Sequence, residues 1–318
     1  MTFARPDHWL WDFWLADDGE RYHIFYLHAP KALGHPDLRH RNARIGHASS
    51  TDLRNWADHG QIFEAGPAGS FDGTANWTGS VVRGQDGRWW LYYTGSRFLD
   101  PDTNRNIETI GVAVSDDLFS WTKLAGPICV ADARWYETLG TSSWPEEAWR
   151  DPWVFPDADG KLWHMLITAR ANTGDDMERG VVGHAVSTDM VRWEVRPPLS
   201  APGKNFAHLE VFETFTINEQ NYLLFSCDTP RLSGPLAGRM GGIWYMPTGP
   251  FDGPHDPAGA RLLATQRLYA GRVVRQRDGQ WALLGFENGP PFTGRISDPI
   301  AITAHPDGRL TIEGDAAP

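Results

Sequence analysis

The stretch GHAVSTDMVRW at Gly183–Trp193 decides the fold, because it repeats GHASSTDLRNW at Gly46–Trp56 and GVAVSDDLFSW at Gly111–Trp121. In each copy, a strand that ends in Ser leads through an acidic turn to a Trp that opens another strand. The three copies follow one another at a nearly regular spacing. A supersecondary unit that recurs in this way predicts a propeller, a solenoid or another repeat array.

A second element precedes each copy and also occurs later in the chain. Its order of strand, polar or Gly-containing turn and strand is typical of a β-hairpin with Asp-Gly or Asn-Glu at the turn. We therefore predict hairpins at Leu15–Leu27, Ser80–Tyr93, Trp153–Ile167, Phe212–Phe225 and Val273–Leu284.

Most of these hairpins are followed by one or two further strands, which predicts five four-stranded sheets. Their natural arrangement is radial, so we expect an all-β protein: a five-bladed β-propeller that forms a single domain over residues 1–318. The 33 Gly and 23 Pro suit tight turns, and the 16 Trp and 15 Phe suit strands. The expected blades span residues 8–66, 72–130, 148–200, 206–250 and 265–312.

Residues that recur at equivalent places in the repeats have a structural interpretation. We expect the repeated Trp to pack between strands, the repeated His to be structural rather than metal-binding, and the repeated Asp to form turns. These residues are Trp56, Trp121, Trp193, His47, His184, Asp52, Asp116 and Asp189.

Charge and composition exclude several classes of partner. A formal net charge of −11 and a pI near 5.5, without any Lys or Arg run, argue against nucleic acid and favour neutral substrates. The two cysteines, Cys129 and Cys227, are too few for a disulfide framework, although one bridge between them is compatible with the count. The composition predicts no particular oligomeric state.

The sequence contains no targeting or membrane signal of the usual kind. No window approaches the roughly 18 apolar residues of a membrane span, and the N-terminal residues MTFARPDHWLWDFW lack the apolar stretch of a secretory signal. We therefore expect a cytoplasmic protein with no membrane partner. An exported precursor trimmed before Met1 would look the same.

Three acidic strings stand out: Trp11-Asp12-Phe13-Trp14, Trp149-Arg150-Asp151-Pro152, and His208-Leu209-Glu210-Val211-Phe212-Glu213. Each places a carboxylate among aromatic or apolar neighbours, where burial is costly unless the acid is paired or used for chemistry. On a propeller they fall at the innermost strands of blades one, three and four, so their acids converge at one axial mouth. This predicts a glycosidase-type acid cluster, with residues 97–107, 131–147 and 230–240 as the loops around it.

These strings resemble the signature motifs of the clan J glycoside hydrolases, families 32 and 68, which include invertases, inulinases, levanases and levansucrases. Trp11–Trp14 is similar to the levansucrase Trp-Asp-Ser/Thr-Trp block, and more loosely to the invertase Asn-Asp-Pro-Asn block. Asn76–Ser80 is similar to the Glu-Trp-Ser-Gly-Ser block, and Trp149–Pro152 to the Phe-Arg-Asp-Pro block. The motifs occur in the family's order over nearly the whole predicted propeller.

The resemblance implies a role for each acid. Asp12 would be the nucleophile, Glu210 the general acid/base, and Asp151 the residue that holds fructosyl hydroxyls and stabilises the transition state. The reaction implied is hydrolysis of β-fructofuranosides (sucrose, fructo-oligosaccharides or fructan fragments) with retention, through a fructosyl-enzyme intermediate. The residues expected to bind this small carbohydrate substrate are Trp11, Trp77, Thr78, Arg150 and His208.

The chemistry can also be argued from the residues. Cleavage through an oxocarbenium-like state needs one ionised and one protonated carboxyl group, with environments that separate their pKa values. We expect Asp12 to stay ionised beside Arg or Trp N–H donors, and Asp151 to be kept ionised by Arg150. The pKa of Glu210 should be raised by burial and by nearby Asp151. Trp11, Trp77 and Trp149 offer flat faces for a sugar ring.

Some assignments have rivals. Glu213 competes with Glu210, although alternation along a strand places the two on opposite faces. Asp72 and Glu108 are weaker pocket candidates with an equally good structural interpretation. The twelve His lack any metal-ligand spacing and no Gly-rich phosphate loop occurs, so we expect neither a metal nor a cofactor.

The sequence also departs from the family pattern. His208 stands where levansucrases carry a second Glu, and the printed chain ends soon after Ile312, so we expect no C-terminal β-sandwich. Three alternatives stay open: a fructosyltransferase of the same clan, an inverting arabinofuranosidase- or xylosidase-like propeller enzyme with a wider carboxyl gap, and a sugar-binding propeller without catalysis.

Overall fold

The computed structural model describes residues 2–141 and 144–318. Met1 of the predicted domain, and Ser142 and Ser143 of the predicted mouth loop, lie outside the described residues. In the part described, the strands are β1 (Phe3–Ala4), β2 (His8–Asp17), β3 (Tyr22–Pro30), β4 (Arg44–Ser50), β5 (Ala57–Gln61), β6 (Ala75–Arg83), β7 (Trp89–Phe98), β8 (Asn106–Ser115), β9 (Thr122–Lys123), β10 (Glu146–Glu147), β11 (Trp149–Pro156), β12 (Trp163–Arg170), β13 (Gly180–Ser187), β14 (Glu194–Arg196), β15 (Glu210–Ile217), β16 (Gln220–Cys227), β17 (Gly242–Thr248), β18 (Arg261–Thr265), β19 (Leu268–Arg275), β20 (Trp281–Glu287), β21 (Arg295–Ile296), β22 (Ile300–Ala304) and β23 (Leu310–Ile312).

Over these residues the strands form five sheets, in which neighbouring strands pair antiparallel except for the short β10. The first four sheets are β2–β5, β6–β9, β11–β14 and β15–β18, and the fifth contains β19–β23 together with β1. The short β10 adds to the second sheet in parallel with β8. The first strands of the sheets, β2, β6, β11, β15 and β19, contact one another in a closed ring. This is a five-bladed β-propeller, and it confirms the predicted fold class.

The two ends of the chain meet in the fifth blade. Phe3 of β1 pairs with Ile296 of β21, and the backbone N–H of Leu10 donates to the carbonyl of Gly294 at 3.2 Å. The first and last parts of the propeller are therefore joined by backbone hydrogen bonds, which close the ring.

All five predicted hairpins are present as the pairs β2/β3, β6/β7, β11/β12, β15/β16 and β19/β20. The hairpin between β15 and β16 turns at Asn218 and Glu219, whose φ angles are 50° and 65°. Two successive positive φ angles are the geometry of a two-residue type I′ turn, which matches the right-handed twist of the strands.

The repeat that revealed the fold ends each third strand in the same turn. The hydroxyls of Ser50, Ser115 and Ser187 donate to Asp52, Asp117 and Asp189, which in turn accept from backbone N–H groups ahead of them. The prediction of turn-forming acids is confirmed for Asp52 and Asp189. In the second copy it was wrong by one residue, because Asp117, not Asp116, lies two positions after the serine.

The recurring Trp and His residues are structural, as predicted. The indoles of Trp121 and Trp193 cap their own turns by donating to the carbonyls of Leu118 and Met190, and Trp56 packs against the core. The buried rings of His47 and His184 bond at 2.9 and 3.1 Å to a His on the neighbouring strand, His23 and His164 respectively. Burial lowers the pKa of His47 to about 3 and that of His184 to about 4, so both rings are neutral.

The fourth blade extends further than predicted. Its outer strand β18 pairs with β17, yet it lies beyond residue 250, where the blade was expected to end. The connection contains Pro250, Pro254 and Pro257, which lack backbone N–H donors. Because of these prolines, alternation of apolar and polar residues did not predict β18.

Helix is limited to short 3₁₀ turns in the described residues: Lys31–Leu33, Pro36–Asn42, Asp176–Glu178, Thr229–Arg231, Gly234–Leu236 and Pro257–Gly259. Among these residues, none of the helices has the length and apolar character needed to cross a membrane. Cys129 and Cys227 are both buried and unbridged.

Candidate active site

A cavity of about 700 Å³ lies where the five first strands meet. Each of those strands contributes a side chain to its lining, and the predicted mouth loops contribute Phe98, Trp144 and Arg231, among others. All eight predicted site residues line it: Trp11, Asp12, Trp77, Thr78, Arg150, Asp151, His208 and Glu210. The structure therefore brings together residues from four blades that the sequence keeps far apart.

β-Bulges position these side chains. In the described part of the chain, every first strand shifts register against its partner at the cavity, between Leu10 and Phe13, Trp77 and Gly79, Arg150 and Trp153, Glu210 and Glu213, and Tyr269 and Arg272. A bulge adds a residue to one strand and re-aims the side chains beside it. Asp12, Thr78 and Asp151 lie within their bulges, and Glu210 and Tyr269 lie at the edges of theirs.

Three of the bulges contain a residue in the left-handed region. Asp151, Val211 and Ala270 have φ angles of 57°, 58° and 49°. The backbone N–H of each donates to a hydroxyl on the second strand of the preceding blade; the acceptors are Thr94 at 2.9 Å, Thr168 at 3.3 Å and Ser226 at 3.1 Å. These hydroxyls hold the bulges, and sequence reasoning missed them. The available signal was a lone Thr or Ser after two large residues in each of those strands.

Asp12 lies on β2 and accepts a hydrogen bond of 2.5 Å from the hydroxyl of Thr78. Burial raises the pKa of Asp12 to about 6; the Thr78 hydrogen bond opposes the shift, and the negative charge of Glu210 adds to it. The carboxyl group is therefore largely ionised at neutral pH, with a basicity well above that of an exposed Asp.

Asp151 follows Arg150 on β11. Its carboxylate accepts a 3.0 Å hydrogen bond from the hydroxyl of Thr168 and lies 3.7 Å from Nε of Arg150. Burial raises its pKa to about 8; Arg150 opposes this shift, and Asp12 and Glu210 reinforce it. Asp151 consequently holds a proton at neutral pH.

Glu210, the first residue of β15, has the strongest set of partners. One carboxylate oxygen accepts from Nη2 of Arg150 at 2.7 Å, and the other accepts from the Tyr269 hydroxyl at 2.6 Å. Burial alone would raise its pKa, but the electrostatic effects of nearby His208 and Arg150 and the Tyr269 hydrogen bond outweigh burial and lower it to about 2. Glu210 is therefore ionised in the ligand-free site.

The expected pKa values were wrong for two of the three acids. We expected an ionised Asp151 and a raised pKa at Glu210, whereas the pKa of Asp151 is raised to about 8 and that of Glu210 is lowered to about 2. The reason is the direction of Arg150, which turns across to the next blade and bonds Glu210 instead of the adjacent Asp151. Asp12 is largely ionised at neutral pH, as expected, although its pKa is raised to about 6. Asp12 accepts from Thr78 rather than from an Arg or Trp N–H.

The three alternative acids, Glu213, Asp72 and Glu108, differ in their relation to the cavity. Glu213 lies outside the cavity lining, and its carboxylate accepts from the backbone N–H of Val273 at 2.6 Å. Asp72 also lies outside it, bonded to Lys123 and Tyr93, so its interpretation as structural is confirmed. Glu108 lines the cavity and accepts from Nη1 of Arg150 at 3.0 Å. Burial raises the pKa of Glu108 to about 7, and Arg150 partly opposes the shift.

Two of the three aromatic faces proposed for sugar binding reach the cavity. Trp11 and Trp77 line it, and Nε1 of Trp77 donates to the carbonyl of His40 at 2.8 Å, which fixes the indole. The expectation for Trp149 was wrong, because its side chain points away from the cavity and is fully buried. It packs against Tyr136, with the two ring centroids 4.8 Å apart. Sequence reasoning also missed Tyr269, which comes from the fifth blade without a motif and bonds Glu210.

The sequence model of the glycosyl hydrolases family 32 N-terminal domain matches residues 14–234. The five-bladed propeller with an acid-lined central cavity agrees with the class that the family match identifies, which is the glycoside hydrolases. The chain belongs to glycosyl hydrolase family 32, which confirms the resemblance to clan J. The match contains Asp151 and Glu210 and begins just after Asp12.

Curated relatives agree with this family. The insoluble isoenzyme of beta-fructofuranosidase from Arabidopsis thaliana is 30% identical over 181 residues, which are 55% of this chain and 27% of that protein. The fructan 6-exohydrolase of Beta vulgaris is 26% identical over 54% of this chain and 26% of its own length. The aligned part thus spans about a quarter of these two relatives. The extracellular sucrase of Zymomonas mobilis is 24% identical over 100% of this chain and 83% of its own.

Solved structures share the fold. Inulosucrase from Halalkalicoccus jeotgali, bound to kestose, superposes with a TM-score of 0.79 and 24% identity over 99% of this chain and 90% of that one. Levansucrase of Bacillus subtilis gives a TM-score of 0.74 and 14% identity over 98% of this chain and 87% of its own. The propeller is therefore common to this chain and to both enzymes.

Proposed function

We propose that this chain hydrolyses β-fructofuranosides with retention of configuration, with Asp12 as nucleophile, Glu210 as general acid/base and Asp151 as the acid that holds the fructosyl hydroxyls. The observation that carries the proposal is the meeting of these three acids, from blades one, three and four, in one cavity beside Trp11 and Trp77. The curated relatives, which are a beta-fructofuranosidase, a fructan 6-exohydrolase and a sucrase, support the same substrate class.

In the proposed reaction, Asp12 attacks the anomeric carbon of the fructosyl unit while Glu210 gives a proton to the departing oxygen. The fructosyl ester on Asp12 is then opened by water, from which Glu210 takes the proton. An acceptor sugar in place of water gives fructosyl transfer through the same intermediate. Asp151, protonated in the free site, donates to or accepts from the hydroxyls of the bound ring.

Glu210 must gain a proton before the first step. In the ligand-free site its anion is held by Arg150 and Tyr269, and the proton of the acid cluster resides on Asp151. A substrate hydroxyl that accepts from Arg150 or Tyr269 removes a donor from Glu210 and raises its pKa. Because the three carboxyl groups interact, their protons redistribute as a group when the substrate enters.

A substrate panel tests the proposal. Sucrose, inulin, levan, difructose anhydrides and aryl arabinofuranosides are incubated with the wild type and with Asp12→Asn, and released fructose or arabinose is measured. We expect fructose from at least one fructofuranoside, and a loss of roughly four orders of magnitude in kcat in the variant. Release of arabinose alone would overturn the proposal in favour of an arabinofuranosidase.

A further inference from the structure

His208, Cys227 and Asp228 meet at one edge of the cavity, next to Glu210. One possible ligand atom from each, an imidazole nitrogen, the sulfur and a carboxylate oxygen, lie within 4.8 Å of one another. The pairing of β15 with β16 creates this meeting, because Glu210 lies opposite Ser226 and the residues just outside that pair face each other. His208 and Asp228 line the cavity, and Cys227 lies behind them.

Polar atoms of His208 and Asp228 lack hydrogen-bond partners, whereas the Cys227 thiol lies 3.8 and 3.7 Å from the carbonyl oxygens of Asp228 and Arg231. His208 is only 6% exposed, yet both its ring nitrogens are buried without a hydrogen bond to any residue that the structure describes, and so is Oδ1 of Asp228. Nε2 of His208 lies 3.6 Å from that oxygen and 3.2 Å from Oε2 of Glu210, but without hydrogen-bond geometry. Buried polar groups in folded proteins are normally hydrogen-bonded, so these atoms at the cavity edge are available to bind a ligand.

We propose that His208, Cys227 and Asp228 bind a thiophilic divalent cation, with Zn²⁺ as the best match. An imidazole nitrogen, a thiolate and a carboxylate oxygen are the three ligand types that Zn²⁺ takes in proteins, and a water from the cavity completes four-coordination. A hard cation such as Mg²⁺ would instead need an all-oxygen set.

The cation reaches the site through the cavity. The Asp228 side chain is 37% exposed there and His208 forms the wall, whereas Cys227 is fully buried behind them. Burial raises the pKa of the Cys227 thiol, so the metal displaces the thiol proton, which leaves to the solvent.

The bound cation inhibits the enzyme. Nε2 of His208 lies 3.2 Å from Oε2 of Glu210, and both residues line the cavity, so a cation bound by His208 lies next to the proposed acid/base and to the space that the substrate occupies. This consequence rests on the proposed function, whereas binding itself does not.

The test compares the two buried cysteines. ZnCl₂ is titrated by calorimetry into the wild type, Cys227→Ala and Cys129→Ala, and Co²⁺ is added to each for its thiolate charge-transfer absorption. We expect one Zn²⁺ per chain and a Co²⁺–thiolate band for the wild type and for Cys129→Ala. Removing a residue that only hydrogen-bonds a metal ligand weakens metal binding about 10- to 100-fold. Cys227→Ala removes a ligand itself, so it should lose the band and bind Zn²⁺ at least that much more weakly.

A second variant guards against a folding defect in Cys227→Ala. His208→Gln leaves the thiol in place and should also lose tight binding, with an unchanged far-UV spectrum. The proposal would be overturned if the wild type did not bind Zn²⁺ stoichiometrically. It would also be overturned if Cys227→Ala and His208→Gln bound Zn²⁺ as tightly as the wild type. These readouts need no substrate, so they remain decisive even if the chain releases no fructose; where it does, Zn²⁺ should inhibit release and EDTA should restore it.

Discussion

Arg150 on the third blade donates from Nη2 to the carboxylate of Glu210 on the fourth blade at 2.7 Å. The same guanidinium donates from Nη1 to Glu108 on the second blade. One buried arginine thus ties three blades together at the cavity and holds the proposed acid/base as an anion. The motif that contains Arg150 therefore has two roles, because it places Asp151 in the cavity and also positions Glu210.

Tyr269→Phe removes the other donor to Glu210, at 2.6 Å, without changing the ring. The hydrogen bond holds Glu210 as an anion, so its loss raises the pKa of Glu210, and we expect the alkaline limb of the kcat/KM profile, where the general acid loses its proton, to move to higher pH. Steady-state kinetics over a range of pH on the best substrate of the panel measures this. Tyr245→Phe is the matched control, since Tyr245 bonds the backbone of Leu310 away from the cavity and should leave that limb unchanged.

Thr78→Val should shift the acid limb of the pH–rate profile. The nucleophile must be ionised, so activity falls as pH drops through the pKa of Asp12, about 6. The Thr78 hydrogen bond lowers that pKa, and its loss moves the limb to higher pH. The profile of kcat/KM against pH reports the shift in the free enzyme, and Thr248→Val, which alters a hydroxyl bonded to His255 outside the cavity, should reproduce the wild-type curve. An unmoved limb in Thr78→Val would contradict the assignment of that limb to Asp12.

Asp12→Asn should stabilise the fold at neutral pH. The folded-state pKa of Asp12, about 6, lies above its unfolded value of 3.8, so stability is lost as pH rises from 3.8 through 6. Asn avoids that loss, which amounts to at most about 3 kcal/mol for a shift of this size. Thermal unfolding at pH 7 should therefore give a higher Tm for the variant, with the difference shrinking toward pH 4.

Asp189→Asn should change Tm at pH 7 in the opposite direction from Asp12→Asn. Backbone N–H groups of Arg192 and Val191 help to lower the pKa of Asp189 to about 2, so its ionised form stabilises the folded state above pH 4. Its Asn variant should lose Tm at pH 7. A fall in Tm for both variants would show that Asp12 is not held in a strained, ionised state.

Glu210→Gln and Glu213→Gln separate the acid/base from its rival. The two lie on one strand, but only Glu210 lines the cavity. General acid–base catalysis contributes about 10²–10⁴-fold, and we expect a kcat loss of that size for Glu210→Gln. Glu213→Gln keeps an oxygen for the N–H of Val273 and should retain activity. The reverse ranking would move the acid/base role to Glu213.

The fold and the residues of the site were predictable because both depend on patterns of residues that are close together in the sequence. The turns that begin at Ser50, Ser115 and Ser187 form within a few residues, so the sequence shows them directly. The five hairpins are also local, and sheets built on them close in only a few ways. The acidic strings likewise mark themselves by their aromatic neighbours, and each one lines the cavity.

The electrostatics were not predictable because they depend on contacts between blades. Whether Arg150 bonds the adjacent Asp151 or Glu210, 60 residues on, is decided by the bulges that aim both side chains. Tyr269 reaches Glu210 from the fifth blade with no motif to announce it. The unpaired polar atoms around His208 arise in the same way, from two strand ends that pair only in the folded chain.

The most direct test of the account is the configuration of the first product. The preferred β-fructofuranoside is cleaved in the presence of methanol, which captures the fructosyl group as a methyl fructofuranoside that does not mutarotate, and the anomer is assigned by NMR. A covalent intermediate on Asp12 predicts the methyl β-fructofuranoside, absent in Asp12→Asn. The methyl α-fructofuranoside, or an undiminished β-product from Asp12→Asn, would contradict it.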